Sequence, residues 1–97
     1  MKVKILEGGC ENDLQYWMDN SLGIYAVGCC SISDCEQPAE IGGHVEVTKA
    51  DSDWDSLKYS KKNSLFIIPI CTGCNNKHGQ EYEVKQGTVP TERVIEA

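Results

Sequence analysis

The chain has 97 residues, of which 40% are hydrophobic and 7% aromatic, so it has room for one domain with a modest core. A core of this size gains from a cross-link, and the chain carries six cysteines that can provide one. The formal net charge of -6 opposes non-specific attraction to nucleic acid, which needs a surplus of lysine and arginine. No apolar run of secretory length starts the sequence, and none reaches the ~20 residues of a membrane helix. We therefore expect a soluble, cytoplasmic protein, in which close cysteine pairs favour a metal over disulfides.

The first predicted element is a short amphipathic helix over residues 12–22, NDLQYWMDNSL. Asn12 is its expected N-cap, Gln15 its expected capping-box residue, and Gly23 its expected stop. The apolar positions that recur at helical spacing and predict one buried face are Leu14, Trp17, Met18 and Leu22.

Short strands and turns are predicted for the rest of the chain. A brief apolar strand is expected over residues 23–30, GIYAVGCC, followed by a turn in CSISDC. AEIGGHVEV predicts a hairpin or a bent strand around Gly42 and Gly43, and the polar residues 48–63 predict a mobile loop. SLFIIPI, residues 64–70, predicts a buried strand, and the segment after Gly79 predicts one more weak strand.

Two close cysteine pairs predict a tetrahedral zinc site with four thiolate ligands. A C-x4-C pair lies on the predicted turn, and a C-x2-C pair lies where the strand SLFIIPI ends. Two such pairs can assemble a structural zinc site from two separate loops, and zinc would then close a long loop. The predicted ligands are Cys30, Cys35, Cys71 and Cys74.

The remaining cysteines leave alternatives open. Cys29 competes with Cys30 for the first ligand position, and we favour Cys30 because Cys29 ends an apolar strand and is expected to be buried. Cys10 has no close partner and is expected to be a spare thiol. The alternative to zinc is a set of three disulfides or of unliganded core cysteines.

The order of these motifs resembles the HNH and endonuclease VII superfamily. The shared pattern is C-x4-C, then histidine in GGHV, then Asn63 before an apolar strand, then PICTGCNNKHG. PAEIGGHV and IIPICTGCN also resemble small zinc-finger proteins with GAHV and PLCxxCN segments. The resemblance implies an α+β fold, namely a small zinc-stapled treble-clef or ββα-metal-like domain with an N-terminal helix. It implies a single domain over 1–97, with a zinc-binding core at 28–79 and a C-terminal extension at 80–97.

The resemblance also implies roles for individual residues. His44 matches the general base of the nucleases, Asn75 matches the residue that helps hold a catalytic Mg2+ or similar cation, and Asn63 matches the residue that orients the histidine loop. His78, one turn after Asn75, is a candidate second ligand of that cation. The family has an acidic metal ligand where this chain has Gly43. Each residue also has a structural alternative: His44 can cover the zinc sulfurs, Asn75 can bond its own helix start, and His78 can end that helix favourably.

Two functions are compatible with these residues. The first is a zinc-binding module, shaped like a nuclease but catalytically degenerate, that binds a protein or nucleic-acid partner. The missing acid and the acidic charge balance favour it, and Trp54 in the long loop favours a protein partner. The second is an active, metal-dependent endonuclease of the HNH type, with Mg2+ or another divalent cation beside the structural zinc.

Overall fold

The structure is a computed structural model, and it describes residues 1–20, 28–51 and 64–94. These residues form an α+β fold, in which one helix and a single helical turn accompany a five-stranded antiparallel sheet. The elements in chain order are β1 (Lys2–Ile5), α1 (Glu11–Asn20), β2 (Ile41–Lys49), β3 (Ser64–Ile70), α2 (Thr72–Asn75), β4 (Glu81–Glu83) and β5 (Thr91–Val94).

The sheet has the order β4-β1-β2-β3-β5, and every neighbouring pair is antiparallel. Its register fixes which side chains share a face, because directly paired residues point to the same side and successive residues to opposite sides. Val45 pairs with Phe66, and His44 pairs with Ile67. Val45 and His44 therefore point to opposite faces of the sheet.

One face carries the main hydrophobic core. The apolar side chains of alternate strand residues meet the two cysteine segments there, which explains why the middle of the sheet is almost wholly buried. The buried members of this core are Val3, Ile5, Cys30, Ile32, Ile41, Val45, Phe66, Ile68, Ile70, Cys71, Cys74 and Val84.

Helix α1 covers the opposite face, over strands β2 and β3. Its backbone lies so close to β2 that a Cβ built at Gly42 would be 2.5 Å from the backbone nitrogen of Leu14. Trp17 is a buried residue of this helix, and its indole N–H donates to the carbonyl of Val89 at 2.7 Å. The absence of a side chain at Gly42 thus lets α1 pack directly on the sheet.

The helix in the structure has different bounds from the predicted helix. The helix begins at Glu11, because the carbonyl of Cys10 accepts the first N–H groups of the helix, from Asp13 at 3.2 Å and from Leu14 at 3.4 Å. The prediction of Asn12 as N-cap is therefore wrong, and the Gln15 amide donates to Asp19 rather than to a cap. The helix ends at Asn20, and the predicted Leu22 and Gly23 lie outside the described residues.

Several strand predictions are also corrected. Of the two predicted alternatives, a hairpin or a bent strand, the hairpin is wrong, because residues 41–49 form one continuous strand. Thr48 and Lys49 therefore belong to β2 and not to the predicted loop. The strand at 64–70 is confirmed, whereas the tail supplies two strands, β4 and β5, instead of one. Strand β1 was not predicted, because four residues alternating lysine with Val3 and Ile5 give too short a pattern. Most of the predicted strand at 23–30, the rest of the predicted loop and Trp54 lie outside the described residues. Among the helices of the described ranges, none is both long and apolar enough to cross a membrane.

Candidate functional site

The first cysteine pair lies on a segment that hydrogen bonds to both β3 and β4. The N–H of Cys30 donates to Gln37 and that of Cys35 to Ile32, which folds residues 30–37 into a compact turn. Asp34 has a φ of 66°, a left-handed conformation that Asp tolerates better than most residues. This turn is attached to the sheet where the N–H groups of Ser31 and Ser33 donate to Pro69 and Glu83, each at 2.9 Å.

The second pair lies at the end of strand β3. Cys71 is the N-cap of the single helical turn α2, and its sulfur accepts the backbone N–H of Cys74 at 3.4 Å. Its carbonyl accepts the N–H of Asn75 at 3.1 Å. Because β3 lies in the middle of the sheet, the position of both sulfurs is fixed by the best-buried strand of the protein.

The two pairs bring four sulfur atoms together. The sulfurs of Cys30, Cys35, Cys71 and Cys74 all lie within 4.8 Å of one another. Those of Cys35 and Cys71 are 3.7 Å apart. In a tetrahedral site with Zn–S bonds of about 2.3 Å, two sulfurs lie about 3.8 Å apart, so the cluster has the dimensions that such an ion requires. The four residues could therefore hold a metal ion.

The environment of the cluster distinguishes its members. Burial raises the pKa of the Cys30 and Cys74 thiols, whereas a hydrogen bond from the backbone of Gln37 lowers the pKa of Cys35. The ammonium of Lys85 donates to the carbonyl of Cys35 at 2.6 Å, which places a positive charge beside the cluster. Four thiolates around one divalent metal would carry a net negative charge, and a nearby ammonium group would stabilise that charge.

All six cysteines are free, and two of them lie outside the cluster. Cys29 is exposed, which corrects the expectation that it is buried, and its neighbour Cys30 is fully buried and belongs to the cluster. The reason is the alternation of an extended segment, which turns adjacent side chains to opposite sides. Cys10 is also exposed, and its thiol donates to the Asp13 carboxylate at 3.4 Å.

His44 lies in a second polar cluster, on the face of the sheet covered by α1. Its Nε2 is 2.5 Å from Oδ2 of Asp13, and Oδ1 of the same carboxylate accepts a hydrogen bond from Arg93. Asp13 is only 3% exposed, whereas the Arg93 side chain is 46% exposed and stacks on the Tyr16 ring. A buried carboxylate needs partners of this kind, so His44 and Arg93 together hold α1 to strands β2 and β5.

Asn75 lies on the other face of the sheet. It is buried, and its side-chain oxygen packs so tightly against Gly9 that a Cβ at this glycine would clash with it. The same oxygen is 3.7 Å from the position of a Cβ at Gly43, which points away from His44. This oxygen is buried without a hydrogen-bond partner. Asn75 and His44 therefore approach β2 from different sides, with Asn75 beside Gly9 and His44 beside Gly8.

Of the other two residues implied by the nuclease resemblance, only His78 lies in the described part of the chain. His78 is exposed in the turn that follows α2, beyond the end of that helix, and Gly79 in the same turn has a φ of 80°. Asn63 lies outside the described residues.

Asp13 is the functional candidate that the sequence prediction missed. The nuclease family has an acidic residue at the position of Gly43, next to the histidine. In this chain the carboxylate of Asp13, from helix α1, contacts His44 instead. One signal in the sequence was available. Asp13 lies four residues before Trp17, and residues at this spacing share a helix face, so a buried tryptophan places the acid toward the sheet. Nothing in the local sequence indicated Arg93, which lies 80 positions further along.

The cysteine cluster is the feature of this chain with the most defined chemistry. Its ligand atoms converge from two separate segments, whereas the residues matched to nuclease chemistry are divided between two faces of the sheet. Scans against protein-family models, curated proteins and solved structures found no match to this chain.

Proposed function

We propose that the chain is a zinc-binding module, in which Cys30, Cys35, Cys71 and Cys74 hold one structural Zn2+. The observation that carries this proposal is the convergence of four sulfurs within 4.8 Å, in a protein with no disulfide. Four thiolates are the ligand set of closed structural zinc sites, which leave no open position for a substrate. Zinc here would stabilise the fold and would not catalyse a reaction.

The position of the cluster explains what the metal would do for this fold. It lies between the 30–37 turn and the end of β3, two segments that also share core packing and backbone hydrogen bonds such as Ser31 to Pro69. A metal bound by both would fix the turn on the core and close a loop between Cys35 and Cys71, which are 36 positions apart. Binding free energy at such sites contributes directly to folding.

The same arrangement supports the treble-clef or ββα-metal assignment as part of this proposal. A cysteine turn comes first, the antiparallel pair β2 and β3 follows, and the second cysteine pair lies at the start of a helical turn. This order is the one on which the resemblance to the HNH superfamily rests. Strands β1, β4 and β5 and helix α1 extend that unit into a larger sheet.

We further propose that the module acts by binding a protein partner and that the nuclease chemistry is degenerate. In support, His44 is already engaged by the buried Asp13, and Asn75 is packed against Gly9, so each side chain has a structural contact of its own. The net charge of -6 also disfavours a nucleic-acid partner.

Metal analysis of the purified chain tests the zinc proposal. We expect one zinc per chain, together with loss of the near-ultraviolet circular dichroism signal when a strong chelator removes it. A folded chain purified under reducing conditions without zinc, and unchanged by chelator, would contradict the proposal.

Fluorescence anisotropy with labelled duplex DNA tests the partner class, and we expect no binding at about 150 mM salt. Tight, salt-dependent binding would instead identify a nucleic-acid module.

One observation favours a second candidate, a metal-dependent endonuclease. The His44 imidazole has a carboxylate partner after all, because Asp13 approaches it at 2.5 Å. Incubation of plasmid with the zinc-loaded protein and Mg2+, Mn2+ or Ni2+ separates the two candidates. We expect no cutting, and cutting that disappears in a folded His44→Gln variant would establish the nuclease instead.

A further inference from the structure

The four clustered cysteines differ in how far each residue is exposed to solvent. Cys30, Cys71 and Cys74 are 0%, 5% and 8% exposed and belong to the hydrophobic core. Cys35 is only partly buried and packs against the edge of that core. A small oxidant therefore meets Cys35 before the other three.

The packing places a disulfide partner for an oxidised Cys35 within reach. Its sulfur lies 3.7 Å from that of Cys71, close enough for a disulfide to form with a small displacement of side chains. Cys71 is held by its place at the end of β3 and by the N–H of Cys74. Cys35 lies on a surface turn, so the movement needed is expected on its side.

We propose that Cys35 is an oxidation site, at which peroxide converts the zinc-bound cluster into a Cys35–Cys71 disulfide and releases the metal. This inference rests on the proposed zinc function and adds a regulation to the same site. Zinc would be left with Cys30 and Cys74 as its only protein ligands. Two thiolates hold zinc far more weakly than four, so the ion leaves.

The reaction balances with hydrogen peroxide as the two-electron oxidant. The Cys35 thiolate attacks one peroxide oxygen, the O–O bond breaks, and the sulfur becomes a sulfenic acid while hydroxide leaves and takes up a proton. The Cys71 thiolate then attacks the Cys35 sulfur, an S–S bond forms, and the second hydroxide leaves and is protonated. Two thiolates, one peroxide and two protons thus give one disulfide and two waters.

The disulfide would keep the two segments connected after the metal has left. It joins the 30–37 turn to the end of β3 at the place where zinc joined them, and it closes the same loop of 36 positions. Constraining a loop in the unfolded chain stabilises the folded protein. The oxidised chain therefore keeps the 30–37 turn attached to β3 while its zinc-binding site is lost.

The experiment uses the zinc-loaded full chain carrying Cys10→Ser and Cys29→Ser, which removes the two exposed thiols outside the cluster. Hydrogen peroxide is added in the presence of a chromogenic zinc chelator, and the remaining thiols are then alkylated for mass spectrometry. We expect stoichiometric zinc release, alkylation of Cys30 and Cys74 only, and fragment ions that link Cys35 to Cys71. Dithiothreitol and zinc should restore the starting state, and the parent chain should release zinc at a similar rate.

Two results would overturn the inference. One is retention of zinc by the parent chain at a peroxide concentration that oxidises its exposed Cys10, and the other is a disulfide that joins a different pair. Both are distinguishable from failure of the zinc proposal itself, because that failure is seen beforehand as a purified chain without zinc.

Discussion

The Nε2 atom of His44 and the Oδ2 atom of Asp13 lie 2.5 Å apart beneath helix α1. Because Arg93 binds the other oxygen of the same carboxylate, one buried acid joins the helix to two strands of the sheet. His44 therefore has a structural role that is independent of any catalysis. Variants of this histidine must be compared for stability before their activity is interpreted.

The first prediction concerns this carboxylate. Asp13→Asn removes the charge that His44 and Arg93 share, and it should lower the free energy of unfolding by about 1 to 3 kcal/mol, since the partners keep only a neutral acceptor. Urea denaturation of the zinc-loaded protein measures this change. The control is Asp19→Asn in the same helix, where an exposed acid accepts a hydrogen bond from Gln15, and a change below about 0.5 kcal/mol is expected. Equal effects of the two variants would argue against the buried network.

A second prediction concerns the contact between α1 and β2. Gly42→Ala introduces a Cβ that would lie 2.5 Å from the backbone nitrogen of Leu14, so the helix must move away from the sheet. Backbone cannot yield as a flexible side chain does, and we expect a loss of about 2 kcal/mol or more in unfolding free energy. Gly28→Ala is the matched control, because a Cβ there meets no atom of the described residues within 4 Å. A Gly42→Ala protein as stable as the Gly28→Ala protein would contradict the close approach.

The sequence predicted the elements whose residues interact locally. The strand at 64–70 has a continuous apolar pattern, and its bounds in the structure are the predicted ones. The prediction that the C-x2-C pair lies at the end of this strand is also confirmed. The short strands β1, β4 and β5 were missed or miscounted because each is stabilised mainly by its neighbours in the sheet. Four residues carry too little pattern to reveal such pairing.

For the candidate sites too, the sequence predicted the contacts that follow from local motifs and missed those that depend on packing. Spacing predicted that the two cysteine pairs would meet, because close cysteine pairs have few other uses in a chain of this kind. The Asp13–Arg93 contact spans 80 positions and follows from how the helix packs on the sheet. Only the three-dimensional arrangement could show that His44 and Asn75 face opposite ways, since this depends on where α2 turns after β3.

The third prediction addresses the acid that the nuclease family has at position 43. A side chain there would point into the core, with its Cβ 2.7 Å from Cγ1 of Ile70. Gly43→Asp would thus bury a carboxylate among apolar atoms, and we expect a largely unfolded protein with no cation-dependent cutting of plasmid. Gly28→Asp adds the same charge in open space and should fold normally. A folded, DNA-cleaving Gly43→Asp protein would show that this glycine marks a degenerate nuclease site.

The fourth prediction concerns the pH dependence of metal binding. In the metal-free protein, burial raises the pKa of Cys30 and Cys74, so both thiols carry protons at neutral pH. Zinc must displace these protons, and its affinity should therefore fall as the pH falls. Competition with a chromophoric chelator between about pH 6 and 8 should show release of more than one proton per zinc. An affinity independent of pH would mean that the cluster is already ionised or does not bind the metal.

The last prediction separates Cys30 from Cys29 as the zinc ligand. Cys30 is fully buried within the sulfur cluster, whereas Cys29 is exposed and lies outside it. Cys30→Ser should therefore abolish stoichiometric zinc binding and leave the chain molten or unfolded, because a buried hydroxyl is a poor zinc ligand and the metal supplies much of the folding free energy. Cys29→Ser changes the adjacent thiol in the same way and should retain one zinc per chain with an unchanged unfolding midpoint. Zinc content and circular dichroism of the two variants, purified in parallel, give the comparison. Loss of zinc in the Cys29→Ser protein, with retention in the Cys30→Ser protein, would identify Cys29 as the ligand. The 30–37 turn would then have to lie in a different position.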